Sequence, residues 1–256
     1  MALDWNAEQQ ERLDALRDDL AKVSTATANH LLLQWGWRNT YMLGLLPIFE
    51  MGVGRRLVGR ARTCRYLPRR GAEAAPADEA ARAAARERRR HSAEIALIEE
   101  LEPGDVFCVD ALGVLTAGVI GDILTTRIRA RGACAAVIHG VVRDTPLVRT
   151  VGLPVYCLGA HPSASGRDLI AVDRDVPIHM AGVQLLPGDV LLCDDEGVVA
   201  MPLALAERVA AEGPAKEDLE LWIRGKIEAG GSVHDYYPPL PEKLAEYERE
   251  TGRIYH

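Results

Sequence analysis

The sequence predicts an α/β protein: a single swivelling β/β/α domain (an α/β/β sandwich) with a mostly parallel central sheet and helical extensions at both ends. Three observations carry this. Short apolar runs at Asp105–Asp110 (DVFCVD), 133–138 (ACAAVI) and 154–158 (PVYCL) read as buried strands, and a helix-forming segment at 121–131 lies between the first two. Strand, helix, strand with short connections gives a right-handed crossover on a parallel sheet. Next, PGDVFCVDALGVL (103–115) and PGDVLLCDDEGVV (187–199) share Pro, Gly, Asp, Val, Asp, Gly and Val in register. Pro-Gly makes a turn, the apolar run a strand, and Asp-x-x-Gly-Val a second turn into another strand, so two strand-turn-strand units suit a swivelling layer. Finally, two Phe stand among 23 Gly and many Ala, Val and Leu, which favours tightly wound α/β packing over an aromatic-rich sandwich.

The elements follow in order. Leu13, Leu16 and Leu20 recur at helical spacing among charges, so 5–23 reads as an amphipathic helix. Ser24 and Thr25 are good caps for a second helix toward Trp35. Gly36, Gly44, Pro47, Gly52 and Gly54 then punctuate a loop-rich stretch, followed by a strand at 57–66. Segment 69–91 (RRGAEAAPADEAARAAARERRRH) is an exposed helix or a flexible linker, and its Arg86 to Arg90 cluster reads as a solvated face. Gly132 closes the 121–131 helix. Beyond the second echo, helices are expected at 203–211 and 215–229, and the tail after Gly230 (SVHDYYPPLPEK) as an extended Pro-rich segment packing on a neighbouring subunit. The whole chain, 1–256, is read as one domain: 1–68 the N-terminal helices and first strand, 69–92 the Arg/Ala-rich segment, 93–202 the core with the site, 203–256 the C-terminal helices and tail.

Composition excludes several function classes. A formal charge of −7 argues against general nucleic-acid binding, because phosphate neutralisation needs a basic surface. The N-terminus has neither a basic n-region nor an apolar h-region, and the most apolar stretch, 41–53, is too short for a span and carries Pro47 and Glu50. Five widely spaced cysteines without a CxxC pair suggest neither a disulfide framework nor a zinc site. The expectation is a soluble cytoplasmic protein.

Chemistry concentrates in 118–146 (GVIGDILTTRIRARGACAAVIHGVVRDTP). Gly121 opens a helix whose first N–H groups, at Ile123 and Leu124, are free at its positive end to receive a carboxylate or phosphate. The following strand delivers Gly140, Arg143 and Asp144 to the same carboxyl edge of the sheet, where open α/β sheets bind ligands. Arg143 offers a planar fork for a carboxylate, Asp144 offers oxygen to a hard divalent cation, and Asp122 is near enough to share the cleft. No lysine lies in this segment, so Schiff-base chemistry gets no support.

These residues resemble the RraA-like family, which includes the class II 4-hydroxy-4-methyl-2-oxoglutarate/4-carboxy-4-hydroxy-2-oxoadipate aldolases and the non-catalytic regulator of RNase E activity. The resemblance rests on GDIL…ARG…VIHGVVRD, with PGDVFCVD before it and AGVQLLPGDVLLCDDEGVVAMP after it. STATANHLL, GRARTCRYLP and AKEDLELWIRGKIEAG…YYPP extend it over nearly the whole chain. It implies homotrimers, or hexamers of two trimers, with sites at subunit interfaces. It implies that Asp144 holds Mg²⁺ or Mn²⁺ largely through waters and that Arg143 binds a small 2-oxo acid. The N–H groups of Ile123 and Leu124, beside Gly121, would cradle the substrate carboxylate, and Asp122 would order a water for proton transfer. A glutamate from a neighbour's C-terminal helix, Glu220 or less favourably Glu217, would complete the cation's outer shell. Family enzymes often carry an acidic residue before the glycine of HGVVRD. His139 stands there instead, beside Gly140, as a residue behind the substrate, a substrate ligand or a strand-end histidine. The regulator branch lacks the aspartate after the motif arginine. This chain keeps it, so the resemblance implies a metal-dependent lyase that cleaves a 4-hydroxy-2-oxo acid or decarboxylates oxaloacetate. The alternatives are a regulatory protein, or a lyase or hydratase for a sugar-acid-derived 2-oxo acid.

Overall fold

The computed structural model describes residues 5–70 and 78–255. Helix α1 (Ala7–Leu20) starts in a capping box: Asn6 accepts from the Gln9 amide while the Gln9 side chain accepts from the Asn6 amide. Helix α2 (Thr25–Gln34) is capped by Ser24, as expected. A two-residue strand, β1 (Leu46–Pro47), interrupts the glycine-punctuated stretch, and β2 (Leu57–Pro68) runs two residues past its expected end. Of segment 69–92, residues 71–77 lie outside the described residues. The remainder forms α3 (Glu79–Arg90), a solvated helix with no buried residue, capped by Asp78.

Ser92 then caps α4 (Ala93–Glu100), a helix without an expectation from the sequence. The core follows as β3 (Asp105–Asp110), α5 (Asp122–Ala130), β4 (Ala135–His139), α6 (Thr145–Val151) and β5 (Val155–Cys157). All six residues of β3 are buried, because apolar clusters cover both faces of the sheet: Phe107 and Val109 pack with Ile98 and Ile128, Val106 and Cys108 with Leu185 and Leu191. That two-sided burial is why the strand reads as a continuous apolar run. The chain continues through β6 (Leu169–Arg174), the β7 (Ile178–Met180) and β8 (Val183–Leu185) hairpin, and β9 (Val190–Asp194) with β10 (Gly197–Met201).

The main sheet has the order β1-β5-β4-β3-β2-β9-β10, with β6 on β2. Strands β3, β4 and β5 form the expected parallel array, which β2 extends in parallel, but every other pairing is antiparallel, so the sheet is mixed. Its ends approach each other: the Met42 amide donates to Val198 O (3.0 Å) and the Tyr156 hydroxyl to Asp194 O (3.0 Å), leaving a nearly closed sheet.

Three expectations are corrected. The sequence echo holds structurally only in its first half. Gly104 and Gly188 both take positive φ (85° and 89°) before a strand, and β9 turns through Gly197 into β10, but after β3 no strand follows. The loop after β3 is instead drawn toward the segment after β4, as Val119 donates to Val141 O. The two C-terminal helices are one helix, α7 (Leu203–Glu228), running through Pro214. Its Gly213 lies flat against the α1–α2 turn, where a Cβ would come 2.5 Å from Val23 Cγ2, and this packing offsets the hydrogen bond that proline cannot donate. The tail is not extended. Gly230 takes positive φ, and α8 (Val233–Tyr236) and α9 (Pro241–Thr251) fold back on α7, burying Tyr236 and Tyr247 with Leu219 and Ile223. Pro241, in the first turn of α9, is where proline starts helices rather than ending them. Among the described residues, no helix is long and apolar enough to cross a membrane.

The second Pro-Gly turn carries a pH signature. Asp189 is 9% exposed, and burial pushes its carboxyl up to about 6 against the opposing hydrogen bond from the Leu186 amide. An acid weaker in the folded than in the unfolded chain destabilises the fold progressively as pH rises from about 4 to about 6, and fully above that. Asp189→Asn is therefore expected to stabilise the protein by on the order of 2 kcal/mol at pH 7.5 and by almost nothing below pH 4, read from urea unfolding at the two pH values.

Candidate active site

The site is built where two loops lie side by side at the carboxyl edge of the parallel strands. The Arg143 amide donates to Ile120 O (2.9 Å) and the Gly118 amide to Ser163 O (2.7 Å), so segments 118–121, 140–144 and 161–165 are held in fixed register. Gly121 is the N-cap of α5 and provides no side-chain cap, which leaves the amides of the first turn for a ligand. Two glycines make the close approach possible. A Cβ on Gly121 would lie 2.7 Å from Asp144 Oδ2, and one on Gly118 would lie 2.8 Å from Arg143 Cβ.

Asp144 occupies a left-handed backbone conformation (φ 52°, ψ 33°) as the N-cap of α6. Aspartate tolerates that region better than most residues but still at a cost, and such strain clusters at functional sites. Its Oδ2 accepts from Arg143 Nε at 2.8 Å, with both side chains a little more than a third exposed.

The resulting cleft encloses about 230 Å³, between the Gly121–Leu124 turn, Arg143, Asp144, Arg89 and Ser165. It therefore gathers Gly121, Asp122, Ile123, Leu124, Arg143 and Asp144 as the sequence predicted. Two guanidinium groups and a helix N-terminus make it a site for an anion. The carboxylates of Asp122 and Asp144 add an all-oxygen donor set of the kind Mg²⁺ and Mn²⁺ prefer, and the glycine surface at 121 leaves room beside Asp144, so the residues fit a hydrated divalent cation.

The remaining candidates lie elsewhere. Gly140 faces the protein interior, where a Cβ would meet Ala111 Cβ at 3.0 Å, and it serves close packing. His139 does not line the cleft; its Nδ1 is 3.4 Å from Asp110 Oδ1. Glu217 accepts from the Ser24 amide (2.7 Å) and pairs with Arg56 (3.2 Å). Burial raises its carboxyl, but the hydrogen bonds from Ser24 and the Arg56 charge outweigh that and hold it below the usual range. Glu220 pairs with Lys216 at 2.7 Å, and neither glutamate reaches the cleft of its own chain.

Arg89 is a cleft residue that sequence reasoning did not single out; Ser165, from the HPSASG loop that the sequence places near the site, lines the cleft with it. Arg89 comes from α3 and also lies 3.7 Å from the buried Glu94, whose carboxyl is raised by burial against the opposing effects of Tyr66 and Arg89. Nothing in the Arg-rich run distinguishes Arg89 from Arg88 or Arg90. Helix α6 beside the cleft was likewise not read from the sequence, although Asp-Thr-Pro is a helix-start pattern.

A family model described as RraA-like (Aldolase/RraA) matches residues 20–200. A protein of Halalkalibacterium halodurans named "Putative 4-hydroxy-4-methyl-2-oxoglutarate aldolase" is 31% identical over 46% of this chain and 56% of its own length. One of Thermus thermophilus with the same name is 36% identical over 41% of this chain and 64% of its own. This chain spans from 28% to 64% of the length of three curated relatives it matches. Among solved structures, Streptomyces coelicolor RraAS2, described as an unusual member of the RNase ES inhibitor RraA protein family, superposes with a TM-score of 0.70 at 31% identity, covering 82% of this chain and 96% of that one.

Proposed function

This chain belongs to the RraA-like family, and on that premise we propose that it is a divalent-cation-dependent lyase acting on a small 2-oxo acid. The reaction is cleavage of the C3–C4 bond of a 4-hydroxy-2-oxo acid with release of pyruvate, decarboxylation of oxaloacetate, or both. The observation that carries the reading is the juxtaposition of the Arg143–Asp144 pair with the uncapped N-terminus of α5 in one cleft.

Asp144 and, through water, Asp122 would hold Mg²⁺ or Mn²⁺, which supplies Lewis-acid stabilisation of charge on the substrate's 2-oxo oxygen. The amides of Ile123 and Leu124 bind the C1 carboxylate. Arg143 orients the 2-oxo group and places a positive charge where the pyruvate enolate develops its own negative charge. Asp122 holds a water that takes the proton from the 4-hydroxyl and returns one to C3 once the bond has broken. Arg89 adds a second cation on which a distal carboxylate can rest.

The same reading places the chain in a homotrimer, or a hexamer of two trimers. A neighbour's Glu220 is then the better outer-shell candidate, because Glu217 is committed to Ser24 and Arg56. Ile223, Ile227 and Tyr237 wall an apolar hollow beside Glu220, which suits burial against another subunit. The similarity to RraAS2 favours a regulatory reading as the second possibility, and turnover separates the two. Pyruvate release from oxaloacetate and from 4-carboxy-4-hydroxy-2-oxoadipate, measured with Mg²⁺, with Mn²⁺ and with EDTA, is expected to exceed the metal-only blank and to vanish with EDTA. Release no faster than the blank on both compounds overturns the lyase reading.

A further inference from the structure

A second set of polar side chains meets at the carboxyl edge of the same parallel strands, outside the cleft. Asp110 ends β3, His139 ends β4, and the two are register partners on adjacent strands. His179 is delivered above them by the β7–β8 hairpin, its ring 5.2 Å from that of His139 and nearly perpendicular to it (76°). Among the described residues, these form the set of three potential ligands, one atom from each, whose atoms all lie within 4.8 Å of one another. Asp110 and His139 are largely buried (7% and 12% of the side chain exposed).

We propose that Asp110, His139 and His179 form a second metal site, which takes a first-row divalent transition cation such as Zn²⁺ or Fe²⁺. The spacing argues for ligation. The 3.4 Å separation of His139 Nδ1 from Asp110 Oδ1 is long for a charge-assisted hydrogen bond, whereas two ligands about 2.0–2.1 Å from a tetrahedral ion stand about 3.3 Å apart. The donors argue for the class of metal. Two imidazoles and one carboxylate suit Zn²⁺ or Fe²⁺, whereas the all-oxygen set at Asp144 suits Mg²⁺ or Mn²⁺.

The surroundings argue for an open position. Asp110 and His179 line a cavity of about 840 Å³ that shares no lining residue with the cleft of Arg143, so an ion held by three protein ligands there would keep a coordination position toward that space, the pattern of a reactive rather than a structural site. The support is also built in. The Leu112 amide (2.9 Å) and the His179 amide (3.3 Å) donate to the two oxygens of Asp110, and Leu112 takes positive φ (59°) to do so. His179 Nε2 accepts from the Gly182 amide (2.9 Å), a bond that ligation must release, so His179 is the weakest of the three ligands.

Co²⁺ is the probe, since its visible absorption reports nitrogen ligation independently of turnover. The experiment uses the full chain carrying Asp144→Ala, stripped with chelator and titrated with Co²⁺ by absorption and calorimetry. One equivalent is expected to bind per chain, unaffected by millimolar Mg²⁺. His139→Gln is expected to weaken binding by about a hundredfold or more, and His179→Gln by less. Because Asp110 also holds backbone, its variant is Asp110→Asn, with circular dichroism verifying the fold. Absence of Co²⁺ binding in the folded Asp144→Ala chain, binding unchanged in both histidine variants, or displacement by Mg²⁺ would overturn the proposal.

Discussion

Replacing Asp144 by alanine is expected to abolish cation-dependent pyruvate release, by a factor of about 10³ or more, while leaving the chain folded. The loss is large because no neighbouring group can substitute. The backbone at 144 is turned left-handed to place this one carboxylate over Gly121, and Asp122 lies on the other segment of the cleft. Alanine in that conformation adds strain of about 1–2 kcal/mol, so stability is read alongside activity. Asp144→Asn, which tolerates the backbone and keeps an oxygen but not the charge, is expected to remain as stable as the parent and still lose most turnover. Wild-type rates in cation-free Asp144→Ala protein would refute the assignment.

Replacing Arg143 by alanine is expected to lower kcat/KM by about 10²–10³, the effect of removing one preorganised donor from a developing negative charge. Much of the loss falls on kcat, because the fork serves the charged transition state more than the ground-state acid. Arg143→Lys restores little, since a single ammonium cannot reproduce the planar fork. If Arg143→Ala raised KM alone, Arg143 would be a binding group only. An unaltered Asp144 is a condition of the test, because Arg143 Nε is one of its hydrogen-bond donors at 2.8 Å.

How much of this the sequence displays depends on the range of the forces involved. Strand β3 is legible to the residue because burial on both faces makes it uninterruptedly apolar, and the start of α5 is legible because Gly-Asp opens a helix. Three of the central strands, β3, β4 and β5, could be ordered as parallel from their short crossovers. The antiparallel additions could not, since pairing of β2 with β6 and β9 joins residues more than a hundred positions apart and leaves no local trace. Pro214 misled for a different reason: propensity ends a helix there, but packing of Gly213 against Val23 carries it through. The tail misled likewise, because Pro241 begins a helix whose buried face is matched by α7. At the site, the motif gives Asp122, Arg143 and Asp144 together. Arg89 and the pairing of His139 with His179 emerge only when α3 and the β7–β8 hairpin are folded into place.

The near-closure of the sheet has a consequence for how the protein behaves in a crowded solution. An open sheet ends in rows of unpaired amides and carbonyls, a template on which another chain can lay a strand. Here one margin is the two-residue β1, bonded along β5, and the other is β10, reached by the Met42 amide and bridged at Val199 by Tyr41. At these two margins what remains for an intruder is a few residues long, too short to nucleate runaway strand addition, and the off-path strand β6 adds an edge of only six residues. A chain built on so many buried β-branched residues thereby protects itself from polymerising edge to edge, by joining its own margins rather than by charging them.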